Sequence, residues 1–238
     1  MSLKKAVTFS LTICVTAFSF AQPSARNYYE RALDAEASGD YTKALEMLYQ
    51  SLQLNEKYDS ALCLNGIVYY KQGNYELAIK QLDKALSIQP DYFEAFYARG
   101  IAKAETKDYI GAVKDFNKAV QLNHTNPKLY YNRALAKAHL DDYPHAIDDL
   151  DKALALKSNY VQAYYSRGYW KDMAGDYEGA VTDYKKVIEL DSSYREAYMA
   201  LATALYQHGE KEKACDLYKQ AGDKGSFMAE ELINKFCK

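Results

Sequence analysis

The sequence predicts an all-α solenoid of stacked helix pairs, and two columns of regularly spaced residues are the main evidence. Alanine recurs at a constant spacing of 34 residues, at Ala44, Ala78, Ala112, Ala146, Ala180 and Ala214. Tyrosine recurs on the same period, at Tyr41, Tyr75, Tyr109, Tyr143 and Tyr177. A fixed period of this length is typical of repeat arrays, in which each unit is one small supersecondary element.

A third observation is that bulky and small residues alternate at helical spacing inside each unit. With Ala25 as position 1 of the first unit, position 4 is bulky and position 8 is small, as in Phe96 and Gly100 of the third unit. Positions 24 and 27 repeat the pattern in Phe116 and Ala119. Spacings of three, four and seven residues predict two helices, each with one buried stripe.

A turn signal separates the two helices of a unit, around positions 15 and 16. Examples are Gly39 followed by Asp40 and Gly175 followed by Asp176. Glycine can close the first helix, and the acidic side chain can cap the second. The alanine at position 20 is expected where two helix backbones approach closely, because extra methylene groups there would overpack the contact.

With these columns in place, the chain resembles the tetratricopeptide repeat family. The second unit matches the family pattern at Tyr75, Ala78, Leu82, Ala85 and Pro90. Departures are local: the proline of position 32 occurs only as Pro90, and the sixth unit has Lys211 in place of the tyrosine. The resemblance implies a right-handed superhelical solenoid of antiparallel helix pairs. It also implies that the first helices of successive units line a concave groove.

The chain divides into three predicted parts: a signal peptide over 1–21, an array of repeats over 22–225 and a C-terminal capping helix over 226–238. The six predicted units run over 25–58, 59–92, 93–126, 127–160, 161–194 and 195–225. A solenoid needs a cap because its last repeat otherwise exposes an apolar face. The amphipathic segment that begins at Ser226 fits this role.

The N-terminal segment has the composition of a bacterial-type signal peptide. Lys4 and Lys5 precede an apolar run, and the run ends with small residues, Ser19 and Ala21, at the positions that signal peptidase reads. We expect cleavage before Gln22 and export to the periplasm or beyond the cell, with no stable membrane span in the mature chain. Retention as an uncleaved anchor is the alternative, although the run is short for a span.

Export to an oxidising compartment affects the expected oxidation state of the cysteines. Outside the cytosol a thiol pair tends to oxidise, so a disulfide between Cys215 and Cys237 is one alternative and two free thiols are the other. The bridge requires the capping helix to cross the last repeat at an angle. Cys63 is expected to be a small groove or core residue.

Positions 7 and 23 change together from unit to unit. The predicted structural ion pairs are Arg99 with Asp115, Arg133 with Asp149, and Arg167 with Asp183. The other units have Asn65 with Gln81, Leu201 with Leu217, and the unmatched Arg31 with Met47. An antiparallel helix pair places positions 7 and 23 face to face. The arginines are therefore expected to bind carboxylates of their own unit, and with a net charge of −2 no nucleic-acid partner is predicted.

No arrangement of residues points to catalysis, a cofactor or a metal. The four histidines fall at unrelated repeat positions, and the sequence has no CxxC pair, phosphate-binding glycine loop or nucleophile motif. We therefore expect a protein that is not an enzyme.

The remaining organised feature is a row of tyrosines on the predicted inner face. Positions 5 and 9 lie on one helical stripe and supply Tyr29, Tyr97, Tyr131, Tyr165 and Tyr169. The first interpretation is a groove that binds a protein or peptide segment, in a scaffold of the cell envelope or the secreted space. Another is that such tyrosines are ordinary packing residues of the repeat. A third is an accessory domain for an envelope enzyme or a cell-wall glycan, with Trp170 stacking on sugar rings.

Overall fold

The computed structural model describes residues 23–237, and this part of the chain consists of helices and short connections, with no strand. The predicted signal peptide and the last residue lie outside the described residues. The helices are α1 Ala25–Ala37, α2 Tyr41–Leu54, α3 Asp59–Lys71, α4 Tyr75–Ile88, α5 Phe93–Glu105, α6 Tyr109–Leu122, α7 Pro127–Ala138, α8 Tyr143–Leu156, α9 Val161–Met173, α10 Tyr177–Leu190, α11 Arg195–Gln207, α12 Lys211–Asp223 and α13 Phe227–Phe236.

The helices pack in sequence order as a solenoid. Each odd-numbered helix from α1 to α11 packs against the even-numbered helix that follows it, and that helix packs against the next odd-numbered one. Successive odd-numbered helices also touch along the array, as α3 and α5 do. Position 1 of every predicted unit is the first residue of an odd-numbered helix. The prediction of an all-α solenoid is confirmed.

The alanine column lies in the core, as the sequence predicts. All six of these alanines are fully buried. The bulky residue at position 24 fills the space left by the small residue at position 8. A Cβ added to Gly66 would lie 2.5 Å from Cγ of Leu82, and one added to Gly100 would lie 2.7 Å from Cε1 of Phe116. Because these contacts are closer than van der Waals packing allows, the columns of small residues set the distance between helices.

The turns inside the helix pairs share one left-handed residue at position 15. Its φ angle is +79° at Gly39 and Gly73, +65° at Lys107, +60° at Asp141, +84° at Gly175 and +89° at Gly209. The next residue often caps the second helix. The side chains of Asp40, Asp108 and Asp176 accept hydrogen bonds from backbone N–H groups three residues on, at 2.9 to 3.0 Å. The predicted cap is confirmed at Asp40 and Asp176, whereas Asn74, at the same position of the second unit, makes no side-chain cap.

The last helix, α13, covers the end of the array. It packs on α12 through the buried Ala229 and through Ile233 and Phe236. Cys237, just after α13, forms a disulfide with Cys215 on α12, with an S–S distance of 2.05 Å. Of the helices within residues 23–237, none combines the length and the apolar character that a bilayer span requires.

Candidate binding groove

The five predicted groove tyrosines lie on the odd-numbered helices α1, α5, α7 and α9, but most of them are not freely exposed. Tyr29, Tyr97, Tyr131 and Tyr165 are partly buried, and only Tyr169 is exposed, at 43%. The expected row of exposed rings is therefore a partly covered aromatic surface.

The covering comes from a tyrosine column that the sequence interpretation missed. It occupies position 34 and comprises Tyr58, Tyr92, Tyr160 and Tyr194. Tyr29 packs on Tyr58 with ring centroids 5.2 Å apart. Tyr131 packs on Tyr160 at 5.1 Å, and Tyr165 on Tyr194 at 5.2 Å. The 34-residue period of this column, interrupted by Asn126 in the third unit, was a signal that could have revealed it. Tyr29, Tyr131 and Tyr165 thus use part of their rings for packing near the end of the unit, as the packing interpretation holds.

In the second unit, a cysteine takes the place of the groove tyrosine. Cys63 is 2% exposed and packs in the cluster that includes Tyr92. Burial raises the pKa of its thiol to about 12. Because the thiolate is the reactive form of cysteine, this residue is a packing group.

The predicted ion pairs are present as parts of larger networks. Arg133 donates to both carboxylate oxygens of Asp149, at 2.8 and 2.6 Å. Its third nitrogen donates to Asn117 of the preceding unit at 2.9 Å, and Lys137 contacts Asp149 at 2.7 Å. The guanidinium also lies 5.5 Å from the ring centroid of Tyr130. All three guanidinium nitrogens donate to side chains of the protein, so the group is not available to bind phosphate.

The same network recurs in the units on either side. The structure brings Arg99 to Asp115 at 2.8 and 2.6 Å, with Asp83 and Lys103 completing the cluster. Likewise Arg167 contacts Asp183 at 2.8 Å, with Asp151 and Lys171. The lysine at position 11 and the Asp or Asn at position 25 were missed from the sequence, although both recur at 34-residue spacing. The lysine adds a second cation within the same unit, and the residue at position 25 joins each ion pair to the unit before it.

One of the other matched pairs differs from its prediction. Asn65 is buried, and its Oδ1 atom has no hydrogen-bond partner within the described part of the chain. The expected amide pair with Gln81 is therefore not formed through this oxygen. An amide side chain is too short to reach as far across the helix pair as a guanidinium does. Leu201 is buried in an apolar cluster against which Leu217 packs.

One opening that includes predicted groove residues lies at the C-terminal end of the inner face. It is a cavity of about 490 Å³ between α9, α11 and the start of α13. Its apolar wall contains Tyr165, Tyr169, Tyr184 and Met199. Phe227 and Met228 of α13 also line it, and they are 98% and 65% exposed. We call this cavity the C-terminal pocket. An apolar cavity with exposed large side chains at its edge is typical of a binding site.

The lining of the C-terminal pocket includes three charged residues, of which two are acidic and one is basic. Arg195 and Glu196 pair with each other at 2.9 Å, and this hydrogen bond lowers the pKa of Glu196. Asp172 is partly buried and makes no ion pair or side-chain hydrogen bond with any residue that the structure describes. Burial raises the pKa of Asp172. The pocket therefore contains one carboxyl group without a counter-ion among the described residues.

A second cavity lies further along the inner face, between α5, α6 and α7. Its volume is about 330 Å³, and its lining includes Tyr109 and His139, whose rings stack at 4.3 Å. Asn132, also in this lining, donates to the hydroxyl oxygen of Tyr97 at 2.9 Å. The inner face is thus concave at more than one place.

Trp170 lies inside the aromatic packing. Its ring stacks on Tyr143 at 5.3 Å and meets Tyr169 edge to face at 4.7 Å. Its Nε1 atom is buried without a hydrogen-bond partner in the described chain. These contacts favour a packing role over stacking on a sugar. Over residues 23–237, no group of three or more His, Cys, Asp or Glu side chains is placed to hold a metal ion.

Helix pairs at a fixed period, a concave inner face and a capping helix define an all-α helical-repeat protein. Family models described as "TPR repeat" match residues 66–107 and 174–209, and models described as "Tetratricopeptide repeat" match residues 127–160 and 196–224. Together these stretches cover more than half of the chain. The chain belongs to the tetratricopeptide repeat family.

Solved structures agree with this assignment. A crystal structure of MamA is 26% identical and has a TM-score of 0.67, and the match covers 75% of this chain and 94% of that one. YrrB, described as "a TPR protein with an unusual peptide-binding site", is 21% identical, with a TM-score of 0.71 over 79% of this chain and 97% of its own. The pilF protein of Pseudomonas aeruginosa is 17% identical, with a TM-score of 0.74 over 89% and 97%. The last two show similarity of fold alone. No curated protein matches the chain significantly.

Proposed function

We propose that this protein is a non-enzymatic scaffold that binds a peptide or protein segment on its concave face, chiefly in the C-terminal pocket. The observation that carries the proposal is the pocket itself, which places the exposed Tyr169 and Phe227 around one apolar cavity. Tyrosine gives a large contact area with few rotamers to immobilise, and aromatic residues are frequent in binding hot spots.

The repeat count and the cap belong to the same proposal. We infer that all six helix pairs are tetratricopeptide repeats, since the pairs outside the matched stretches carry the same buried alanine column. In this proposal α13 caps the array and supplies one wall of the pocket. YrrB is described as having a peptide-binding site, and we propose peptide binding for this chain on the basis of its own pocket.

We also propose that the protein is exported and acts in the periplasm or outside the cell, after removal of residues 1–21. The disulfide between Cys215 and Cys237 supports this location, because structural disulfides persist in oxidising compartments. Intact-mass measurement on the exported protein is expected to give a chain that starts at Gln22. A mass that retains Met1 to Ala21 would contradict the cleavage.

The binding proposal is tested with peptides selected from a random display library against the mature protein. Replacing Tyr169 by Ala removes an exposed ring of the pocket, so we expect selected peptides to bind at least about tenfold more weakly, a loss of about 1.4 kcal/mol. The matched control is Tyr49→Ala, since Tyr49 is 60% exposed on α2, away from the pocket. Equal affinities for wild type and Tyr169→Ala would count against the pocket.

A further inference from the structure

Asp172 is a partly buried acidic side chain of the inner face whose environment the fold does not explain. It lies at position 12 of the fifth unit, on α9. The first unit also has an acid at position 12, Glu36, and that residue pairs with Lys71 from the next unit. Asp172 has no such partner, because the equivalent residue of the next unit, Gln207, is uncharged.

The nearby cations are already engaged. Lys171 contacts Asp183 at 3.0 Å, and Arg195 pairs with Glu196 at 2.9 Å. Asp172 remains a partly buried carboxylate without a counter-ion in the described chain. Burial of an unpaired charge costs free energy, and its raised pKa reflects that cost. A cation supplied from outside the chain would remove the cost.

The walls around this carboxylate suit an organic cation better than a metal ion. Tyr165, Tyr169 and Tyr184 line the same cavity, and the negative charge of Asp172 reaches the hydroxyl of Tyr184, whose pKa is raised first by burial and then by this carboxylate. Ammonium and guanidinium groups are attracted both to a carboxylate and to the faces of aromatic rings. A metal ion would need several oxygen ligands, and only one unpaired carboxylate is available.

We propose that the C-terminal pocket recognises a lysine or arginine side chain of the bound segment, with its cationic group paired to Asp172 and an adjacent apolar residue against Met199 and Phe227. The proposal rests on the peptide-binding function proposed above and adds the chemical class of the anchor residue. The exposed Phe227 provides an apolar contact, and the net negative charge of the pocket favours a positive partner over an anionic one.

The test uses three synthetic peptides that differ at one residue. Each is a capped hexapeptide with leucine and phenylalanine neighbours, and the variable residue is lysine, norleucine or glutamate. Norleucine keeps most of the apolar length of lysine and removes the charge. Calorimetric titration of the mature wild-type protein is expected to show the lysine peptide binding about tenfold more tightly than the norleucine peptide, and the glutamate peptide binding most weakly.

The variant that isolates the carboxylate is Asp172→Asn, which keeps the shape of the side chain. It is expected to bind the lysine and norleucine peptides with equal affinity. The control is Asp148→Asn, which makes the same chemical change at an exposed position of α8 and is expected to keep the tenfold preference. A preference that persists in Asp172→Asn, or that is absent in wild type, overturns the proposal.

A second measurement needs no variant. The carboxyl pKa of Asp172, followed by NMR, is expected to fall when the lysine peptide saturates the protein and to stay unchanged or rise with the norleucine peptide. If peptides bind in a Tyr169-dependent manner without any preference for lysine, the cation proposal fails and the proposed groove function stands. If no peptide of the set or of the display library binds in a Tyr169-dependent manner, both fail.

Discussion

At the scale of single residues, the turns inside the helix pairs contain two side chains in a conformation that favours glycine. Lys107 and Asp141 have φ angles of +65° and +60°, where other units have glycine. For a residue with a Cβ atom this conformation costs about 1 kcal/mol. We expect Lys107→Gly to raise the free energy of unfolding by up to about 1 kcal/mol, measured by urea denaturation.

The opposite substitution provides the control. Gly73 has a φ angle of +79° and an open space where a Cβ would lie. Gly73→Ala is therefore expected to lower the free energy of unfolding through backbone strain alone. If Lys107→Gly were destabilising, the left-handed turn would not be the cause of strain at this position.

Three positions of the charged networks are replaced together in the sixth unit. Positions 7, 11 and 23 are Arg133, Lys137 and Asp149 in the fourth unit. The corresponding residues of the sixth unit are Leu201, Leu205 and Leu217. The same site in the helix pair can thus be filled either by an ion network or by three apolar side chains. This match could have been read from the sequence once the lysine column was included.

A mutant series tests whether the three positions act as one unit. Arg133→Leu alone leaves the buried Asp149 with only Lys137, so we expect the free energy of unfolding to fall by about 2 to 4 kcal/mol. Replacing all three residues by Leu removes the buried charges and is expected to recover much of that loss. Denaturation of the single and triple variants measures the coupling. Additive effects of the three substitutions would show that the network does not act as a unit.

At the scale of helices, the capping helix depends on a covalent link as well as on packing. The disulfide between Cys215 and Cys237 closes a segment of 22 residues. By loop-closure entropy such a link stabilises the folded state by about 3 kcal/mol. Cys237→Ser should therefore increase amide hydrogen exchange in α13 while exchange in α5 stays as in wild type. Unchanged protection of α13 would show that the apolar contacts of Ala229 and Phe236 hold it without the link.

The order and bounds of the helices could be predicted because each depends on local signals. The six first helices begin at position 1 of the predicted units, and five of the six second helices begin at the tyrosine column. The exposure of the groove tyrosines could not be predicted from the same columns. It depends on Tyr160 and its equivalents, which come from the end of a unit and pack on a ring of the first helix of the same unit, far away in sequence.

The C-terminal pocket was harder to predict for a similar reason. Tyr165 and Tyr169 were expected in the groove from their place on the inner stripe of α9. Phe227 and Met228 belong to the capping helix, outside the repeat pattern, and no period links them to the groove. Asp172 occupies a position whose residue type changes from unit to unit. That it lacks an ion-pair partner could be established only from the positions of the neighbouring side chains in the structure.

At the scale of the whole molecule, the core is divided along the array. Separate clusters of buried residues surround Leu48, Leu82, Phe116, Leu150 and Tyr184. Each unit therefore packs within its own helix pair and against its immediate neighbours, as expected for a solenoid. The inner helices are left with part of their surface free, and at the C-terminal end this surface joins that of α13 to form the pocket. The central claim is that this junction is the binding site.

The most direct test is NMR chemical-shift mapping of the mature protein with a display-selected peptide. We expect the largest shifts in α9, α11 and the first turn of α13, including Tyr169, Met199 and Phe227, because these residues line one cavity. Shifts in α6 and α8, which contribute no residue to this lining, should be small. Shifts concentrated on the even-numbered helices, with those of Tyr169 and Phe227 unchanged, would contradict the claim that the C-terminal pocket of the groove carries the function.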